Sequence, residues 1–166
     1  NPRLSKVKEG IALCREQGVD FILAVGGGSV IDSSKAIAYG VPYEGDVWDF
    51  YVGKAEAETC LPVATVLTIP AAGSEMSEAS VITNEDGDIK LGYSNNISRP
   101  KFAIMNPERT FTLPAYQTAA GVTDIMLHTM ERYFNPDCDM TVTDAIAEAL
   151  MRTMMDSVFA VLENPE

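Results

Sequence analysis

The stretch FILAVGGGSVIDSSKAI, residues 21 to 37, places three consecutive glycines between an apolar run and a segment with helical spacing. Residues 21 to 25 are apolar and lie between Asp20 and Gly26, which is typical of a strand buried on both faces of a parallel sheet. A helix is predicted from about residue 29 to residue 39. The stretch therefore predicts a strand, a glycine turn and a helix of an α/β fold.

The glycine turn allows two interpretations. Glycines between a strand and a helix leave backbone N–H groups and the positive helix end facing one place, where a phosphate fits, and Ser29 adds a hydroxyl donor. The stretch matches neither GxGxxG, because Ile31 occupies the third glycine position, nor GxxxxGK[ST]. From its own residues the turn is either a phosphate site or a structural turn. In the helix, Asp32 is expected to be stabilised by the dipole, and Lys35 to be solvated or paired.

Further elements are predicted along the chain from period and turn residues. A helix begins at Leu4, where Ser5 caps it, and Gly18 ends it; one helical turn follows near 46–51. The predicted strands are a buried strand at 63–69, a hairpin that pairs 80–83 with 89–93 around NEDGD, and a short strand at 102–105. Two long helices are predicted at 115–134 and 142–162. The last helix carries an apolar seam: Val142, Ile146, Leu150, Met154, Val158 and Leu162. The first part of the chain alternates strands and helices, and the last part contains helices only. This change predicts two domains, with a boundary near residue 110.

Composition excludes several classes of protein. With 166 residues, 46% hydrophobic and 22% charged, the chain is expected to be globular, and its net charge of −12 would repel a nucleic acid. The apolar runs are too short to cross a bilayer, and we expect a cytoplasmic protein. Cys14, Cys60 and Cys138 form no CxxC pair, which favours small, buried or half-buried side chains in a reducing compartment. The start at Asn1 and the end in LENPE indicate an internal fragment.

Two more regions carry candidate chemistry. In TIPAAGSEMSEAS, residues 68 to 80, small side chains would let a flat cofactor lie across the sheet edge, with hydroxyls from Thr68, Ser74 and Ser77; the alternative is a plain turn. In GVTDIMLHTMERY, residues 121 to 133, Asp124 and the only histidine, His128, are four residues apart and share a helix face. They are either two ligands of a divalent metal or an Asp–His pair.

Four segments together resemble the iron-containing, or group III, alcohol dehydrogenases. These segments are GGGSVIDSSKAIA at 26–38, AAGSEMSEASVITNEDGDIKLG at 71–92, MNPERTFTLP at 105–114 and GVTDIMLHTMERYF at 121–134. The resemblance covers essentially the whole chain and is closest to the butanol dehydrogenase branch, whose members use NAD(P)H to reduce aldehydes to alcohols. It implies the dehydroquinate synthase-like fold of that family, with residues 1–110 as part of a dinucleotide-binding α/β domain and residues 111–166 as the first helices of a helical metal-binding domain.

The resemblance also implies roles for individual residues. Gly26, Gly27, Gly28 and Ser29 would hold the cofactor pyrophosphate; Thr68, the AAGSEMS turn and Ser77 would lie along the cofactor; and Lys90 would contact its ribose near the nicotinamide. Asp124 and His128 would be two of the four ligands of a catalytic metal, Fe or Zn, that polarises the aldehyde oxygen while hydride arrives. A homodimer is expected, and the branch favours NADP over NAD.

The chain departs from the family pattern at several places. Ala72 and Asn106 stand where many members have Thr and Asp, and the two further histidine ligands are absent, so the 166-residue chain alone is expected to be inactive. Two other hypotheses are a nucleotide-binding or assembly module without chemistry, which pairs through its apolar helix seam, and a relative of glycerol dehydrogenase or dehydroquinate synthase. The second and third quoted segments argue against the latter.

Overall fold

A computed structural model describes residues 1–135 and 140–164 of the chain. They form two compact units, Asn1–Asn106 and Pro107–Glu166. The roles of these two parts as dinucleotide-binding and metal-binding domains stay a prediction.

The first unit is built on a three-stranded parallel sheet. Its strands are β1 (Ile22–Gly26), β2 (Val63–Leu67) and β5 (Ala103–Met105), in the order β1-β2-β5. The parallel sheet predicted from the apolar runs is therefore confirmed. Because the strands are parallel, β1 and β2 end at the same edge of the sheet, where Gly26 is in register with Leu67.

Three helices and a hairpin complete this unit. The helices are α1 (Leu4–Gln17), α2 (Gly28–Gly40) and α3 (Trp48–Tyr51), and the hairpin pairs β3 (Ala79–Asn84) with β4 (Ile89–Ser94) around the predicted Asp-Gly turn. A short 3₁₀ turn covers Asn96–Ser98, and another, Pro107–Thr110, belongs to the second unit. Gly18 ends α1 as predicted, with a left-handed φ of 63°. Ser5 is not its cap: α1 begins after Arg3, and Ser5 instead donates its backbone N–H to Glu85 Oε2 at 3.1 Å.

The core of this unit fixes α2 from two sides. A small cluster of Ala24, Ile31 and Leu67 packs the start of α2 on β1 and β2. A larger cluster joins the rest of α2 to α1, α3 and the hairpin; its buried members are Leu4, Val7, Ile11, Ala36, Tyr39, Val47, Phe50, Tyr51, Ala57 and Ile82. The segment from 26 to 40 is therefore held along its length.

The expectation that β1 is buried on both faces is wrong for the described residues. Phe21, Leu23 and Val25 are 41%, 50% and 58% exposed, while Ala24 between them is 2% exposed. Among those residues α2 covers one face of the strand, so alternate side chains differ in burial. A continuous apolar run does not reveal which face another element covers.

The second unit contains α4 (Ala115–Tyr133) and α5 (Thr141–Glu163), which pack against each other. Both predicted long helices are confirmed. The predicted apolar seam of α5 is only partly packed: Val142, Ile146, Leu150 and Leu162 are exposed, whereas Met154 and Val158 are half-buried. A line of residues spaced by four rotates by about 40° per step around a helix of 3.6 residues per turn, so it leaves the packed face.

The two cysteines that the structure describes, Cys14 and Cys60, are free and half-buried, as expected, and Cys138 lies outside the described residues. Burial raises the pKa of the Cys60 thiol to about 11. Over the ranges 1–135 and 140–164, no helix combines the length and apolar character that crossing a membrane would need.

Candidate functional site

The glycine turn joins β1 to α2. Gly27 precedes the helix with an extended backbone, and its carbonyl oxygen accepts hydrogen bonds from the N–H groups of Val30 and Ile31 at 3.0 and 3.1 Å. The N–H groups of Gly28 and Ser29 belong to the first helical turn and have no acceptor within the helix. That first turn contains no acidic residue. The N-terminus of α2 thus combines free donors with the positive end of the helix dipole.

The three glycines differ in their surroundings. A Cβ on Gly26 would lie 2.6 Å from Val30 Cγ2, and one on Gly27 would lie 2.6 Å from Ile69 Cγ2. A Cβ on Gly28 would meet nothing closer than Ser74 Cβ, at 4.0 Å. Packing within the protein therefore requires the first two glycines, whereas the third leaves open space beside the free N–H groups. A side chain there would fill the space that a phosphate needs.

A second turn lies beside the first one. We define it as residues 71–78, between β2 and β3. At the end of β2, Thr68 donates its N–H to Gly26 O at 3.2 Å. Within the second turn, Gly73 has a φ of 71°, and its carbonyl oxygen accepts from the N–H groups of Met76 and Ser77 at 3.1 and 3.2 Å. Ser77 Oγ accepts from Ala79 N–H at 2.9 Å. The ends of β1 and β2 thus bring the glycine turn, Thr68 and the second turn together.

Of the two environments expected for Lys35, solvated or paired, the structure excludes the solvated one. Lys35 is 0% exposed, and its ammonium donates to the carbonyl oxygens of Ser74, Ser77 and Ala79 at 2.7, 2.7 and 2.9 Å. Burial lowers the pKa of Lys35 from 10.5 to about 8, and the negative charges of Asp32 and Glu75 oppose that shift. The side chain ties α2 to the second turn.

Asp32 makes a second link between the same elements. Its Oδ1 accepts from Ser74 Oγ at 2.5 Å, and its Oδ2 accepts from Val81 N–H at 3.1 Å. Sequence reasoning missed both links, because a charged helical residue ordinarily indicates a solvated face. The only signal was spacing: Lys35 is four residues from the buried Ile31 and three from Asp32, so it lies beside each of them on the helix surface.

Lys90 lies on the hairpin. It is in register with Thr83 and its side chain is exposed. No hydrogen bond or ion pair of the described residues joins Lys90 to either turn. Its contact with a cofactor ribose stays a prediction.

Asp124 and His128 lie one turn apart on α4 and are about half exposed. Asp124 Oδ2 is 3.7 Å from His128 Nε2, which is too long for a hydrogen bond. On the other side of the ring, Glu131 Oε2 is 3.6 Å from His128 Nδ1. A carboxylate and an imidazole are suitable donors for Fe²⁺ or Zn²⁺. Within 1–135 and 140–164 no group of three or more His, Cys, Asp and Glu side chains is placed to hold a metal.

Comparison of the chain with known proteins gives matches to one family. The family model described as "Iron-containing alcohol dehydrogenase" matches residues 1–107. The chain is 48% identical to a protein of Bacillus subtilis named "Probable NADH-dependent butanol dehydrogenase 2". The match includes 100% of this chain and 43% of the B. subtilis protein. It is 36% identical to the "NADPH-dependent aldehyde reductase YqhD" of Escherichia coli, with 100% of the chain and 44% of that protein covered.

A solved structure gives the same result. The crystal structure of an NADH-dependent butanol dehydrogenase A from Thermotoga maritima superposes with a TM-score of 0.95 at 44% identity, over 99% of this chain and 41% of that one. The chain therefore spans less than half the length of the relatives that it matches.

Proposed function

The chain belongs to the iron-containing alcohol dehydrogenase family, and we propose that the full-length protein transfers a hydride between NADH or NADPH and an aldehyde or primary alcohol. The observation that carries this proposal is the open space at Gly28. It lies at the N-terminus of a helix, beside free N–H groups and a second small-residue turn. The names of the relatives, butanol dehydrogenases and an aldehyde reductase, support the reaction and the substrate class.

In this proposal the cofactor pyrophosphate lies on the glycine turn. The N–H groups of Gly28 and Ser29 donate to its oxygens, and the helix dipole stabilises its negative charge. Gly26 and Gly27 keep the turn closely packed, so that the donors hold their positions. Thr68 and Ser77 supply hydroxyls along the cofactor, and Lys90 binds its ribose.

Asp124 and His128 are proposed as two ligands of a divalent metal, Fe²⁺ or Zn²⁺. The donor types fit, and because no direct hydrogen bond joins the two side chains, both keep a lone pair available. Glu131 Oε2, 3.6 Å from His128 Nδ1, is too far away for a direct hydrogen bond but adds a negative charge beside the ring. Such a metal supplies a Lewis acid that polarises the substrate oxygen.

The choice between NAD and NADP stays open within the proposal. Of the two relatives quoted above, the B. subtilis protein is named for NADH and the E. coli reductase for NADPH. A homodimer in the cytoplasm, expected from the resemblance and the composition, is likewise part of the proposal. Sedimentation of the full-length protein measures the oligomeric state.

The test is an assay of the full-length protein with butanal. After loading with Fe²⁺ or Zn²⁺, it should oxidise NADH or NADPH only when the aldehyde is present, and a chelator should abolish the reaction. The 166-residue chain in parallel should show no turnover. The proposal fails if the loaded full-length protein oxidises neither cofactor with any of a series of straight-chain aldehydes.

A further inference from the structure

Lys35 is a buried charged side chain to which the proposed reaction gives no role. Its ammonium has three hydrogens, and three carbonyl oxygens lie within 2.9 Å of it. Two of these carbonyls belong to the second turn, and the third belongs to Ala79, the first residue of β3. Every hydrogen of the ammonium is therefore directed at one short segment, 39 to 44 residues further along the chain.

These hydrogen bonds determine which backbone groups of the second turn point toward Lys35 and which point away from it. In a trans peptide the C=O and the following N–H point in opposite directions. When the carbonyls of Ser74 and Ser77 point at Lys35, the N–H groups of Glu75 and Glu78 are turned away from it. Carbonyl oxygens repel phosphate, and Lys35 collects three of them on the inner side of the turn.

The glycine turn depends on the same contact. Ser74, whose carbonyl oxygen and hydroxyl both bond to residues of α2, is the nearest neighbour of a Cβ built on Gly28. A shift of Ser74 would therefore change the space beside the free N–H groups. The end of the turn is also held from elsewhere: Ser98 Oγ donates to Glu78 O at 3.0 Å. Arg99 contacts Met76 O and Glu78 from the exposed side, where ion pairs contribute little. Neither contact reaches Ser74.

We propose that Lys35, supported by Asp32, is a positioning residue for cofactor binding, which holds the second turn against the glycine turn and so keeps open the space beside Gly28. This inference rests on the proposed function. Lys35 itself is enclosed by protein and acts through Ser74, without touching the cofactor.

The test is Lys35→Met in the full-length protein, because methionine retains most of the apolar stem and removes the three donors. The dissociation constant for the reduced cofactor should rise about tenfold, while kcat at saturating cofactor changes by less than about threefold. Without cofactor, amide hydrogen exchange in residues 71–78 should accelerate. The matched control is Arg15→Met, which removes another cation that donates to three backbone carbonyls, those of Gly40, Val41 and Tyr43, and should lower the melting temperature without changing either readout.

The outcomes separate this inference from the proposed function. If the wild-type protein binds neither NADH nor NADPH, the proposed function fails and the inference with it. If Lys35→Met melts at a lower temperature but binds cofactor and exchanges like the wild type, Lys35 is purely structural and the inference alone is overturned. Should Lys35→Met not fold, Asp32→Asn replaces it; a dissociation constant raised several-fold supports the inference, and unchanged binding and exchange overturn it.

Discussion

Gly27 lies so close to Ile69 that a Cβ at position 27 would come within 2.6 Å of Ile69 Cγ2. This contact joins the end of β1 to the segment that follows β2. One residue later, at Gly28, the space is open. Adjacent glycines in the same turn are therefore required for different reasons, the first by the fold and the second by the ligand that we propose.

The first prediction concerns stability at Gly27. Its φ is −89°, so an alanine would fit the backbone, but its methyl group would clash with Ile69. Gly27→Ala should lower the free energy of unfolding by about 1–3 kcal/mol, as other overpacked sites do. Gly92→Ala is the control, because its Cβ would lie at an ordinary 3.6 Å from Val81 Cγ2. Chemical denaturation measures both, and an equal loss in the two variants would contradict the steric explanation.

The second prediction concerns pH. The Tyr51 phenol is buried and shares a 2.7 Å hydrogen bond with Ser80 Oγ, and burial raises its pKa. Above the usual tyrosine pKa of about 10, the unfolded chain releases this proton and the folded chain retains it, so the contribution of Tyr51 to stability falls as pH rises. Lys35 acts in the opposite direction between about pH 8 and pH 10.5, since burial lowers its pKa.

The comparison of wild type with Tyr51→Phe isolates the phenol, because both proteins contain Lys35. The wild type should be the more stable protein at neutral pH, and its advantage should shrink above pH 10. The measurement is the unfolding free energy of both proteins across that range. A difference that stays constant with pH would show that Tyr51 does not titrate differently in the folded state.

The third prediction concerns the metal. Asp124→Ala and His128→Ala should each weaken binding of Fe²⁺ or Zn²⁺ by at least about tenfold, since each removes one ligand. Asp156→Ala, which removes an exposed carboxylate from α5, should leave the metal content unchanged. Metal content after dialysis, measured by atomic spectroscopy on the full-length protein, checks all three variants. Full content in the first two would remove the metal assignment.

Much of the fold was predictable because its signals are local. The five-residue run before Gly26 and the Asp-Gly pair in the hairpin each specify an element from a few neighbouring residues. The glycine turn and the Asp124 and His128 pair were identifiable as candidates for the same reason. Their combination in a fixed order, rather than any one of them, indicated the family.

The environment of Lys35 could not be predicted. Its acceptors are backbone carbonyls about 40 residues away, and no residue type in the sequence marks a carbonyl as the partner of an ammonium. The exposed face of β1 was missed for a related reason, because burial depends on which element covers a strand. Local pattern specifies an element, whereas its partners follow from tertiary packing.

The most direct test of the account is a titration of full-length Gly28→Ala with the reduced cofactor that the wild type binds. The added methyl group would lie in open space, 4.0 Å from Ser74 Cβ, and would leave the packing of the protein intact. We expect an unchanged melting temperature and binding at least about tenfold weaker, because the methyl group occupies the approach to the N–H groups of Gly28 and Ser29. Binding equal to that of the wild type would contradict the proposal that the pyrophosphate lies on this turn.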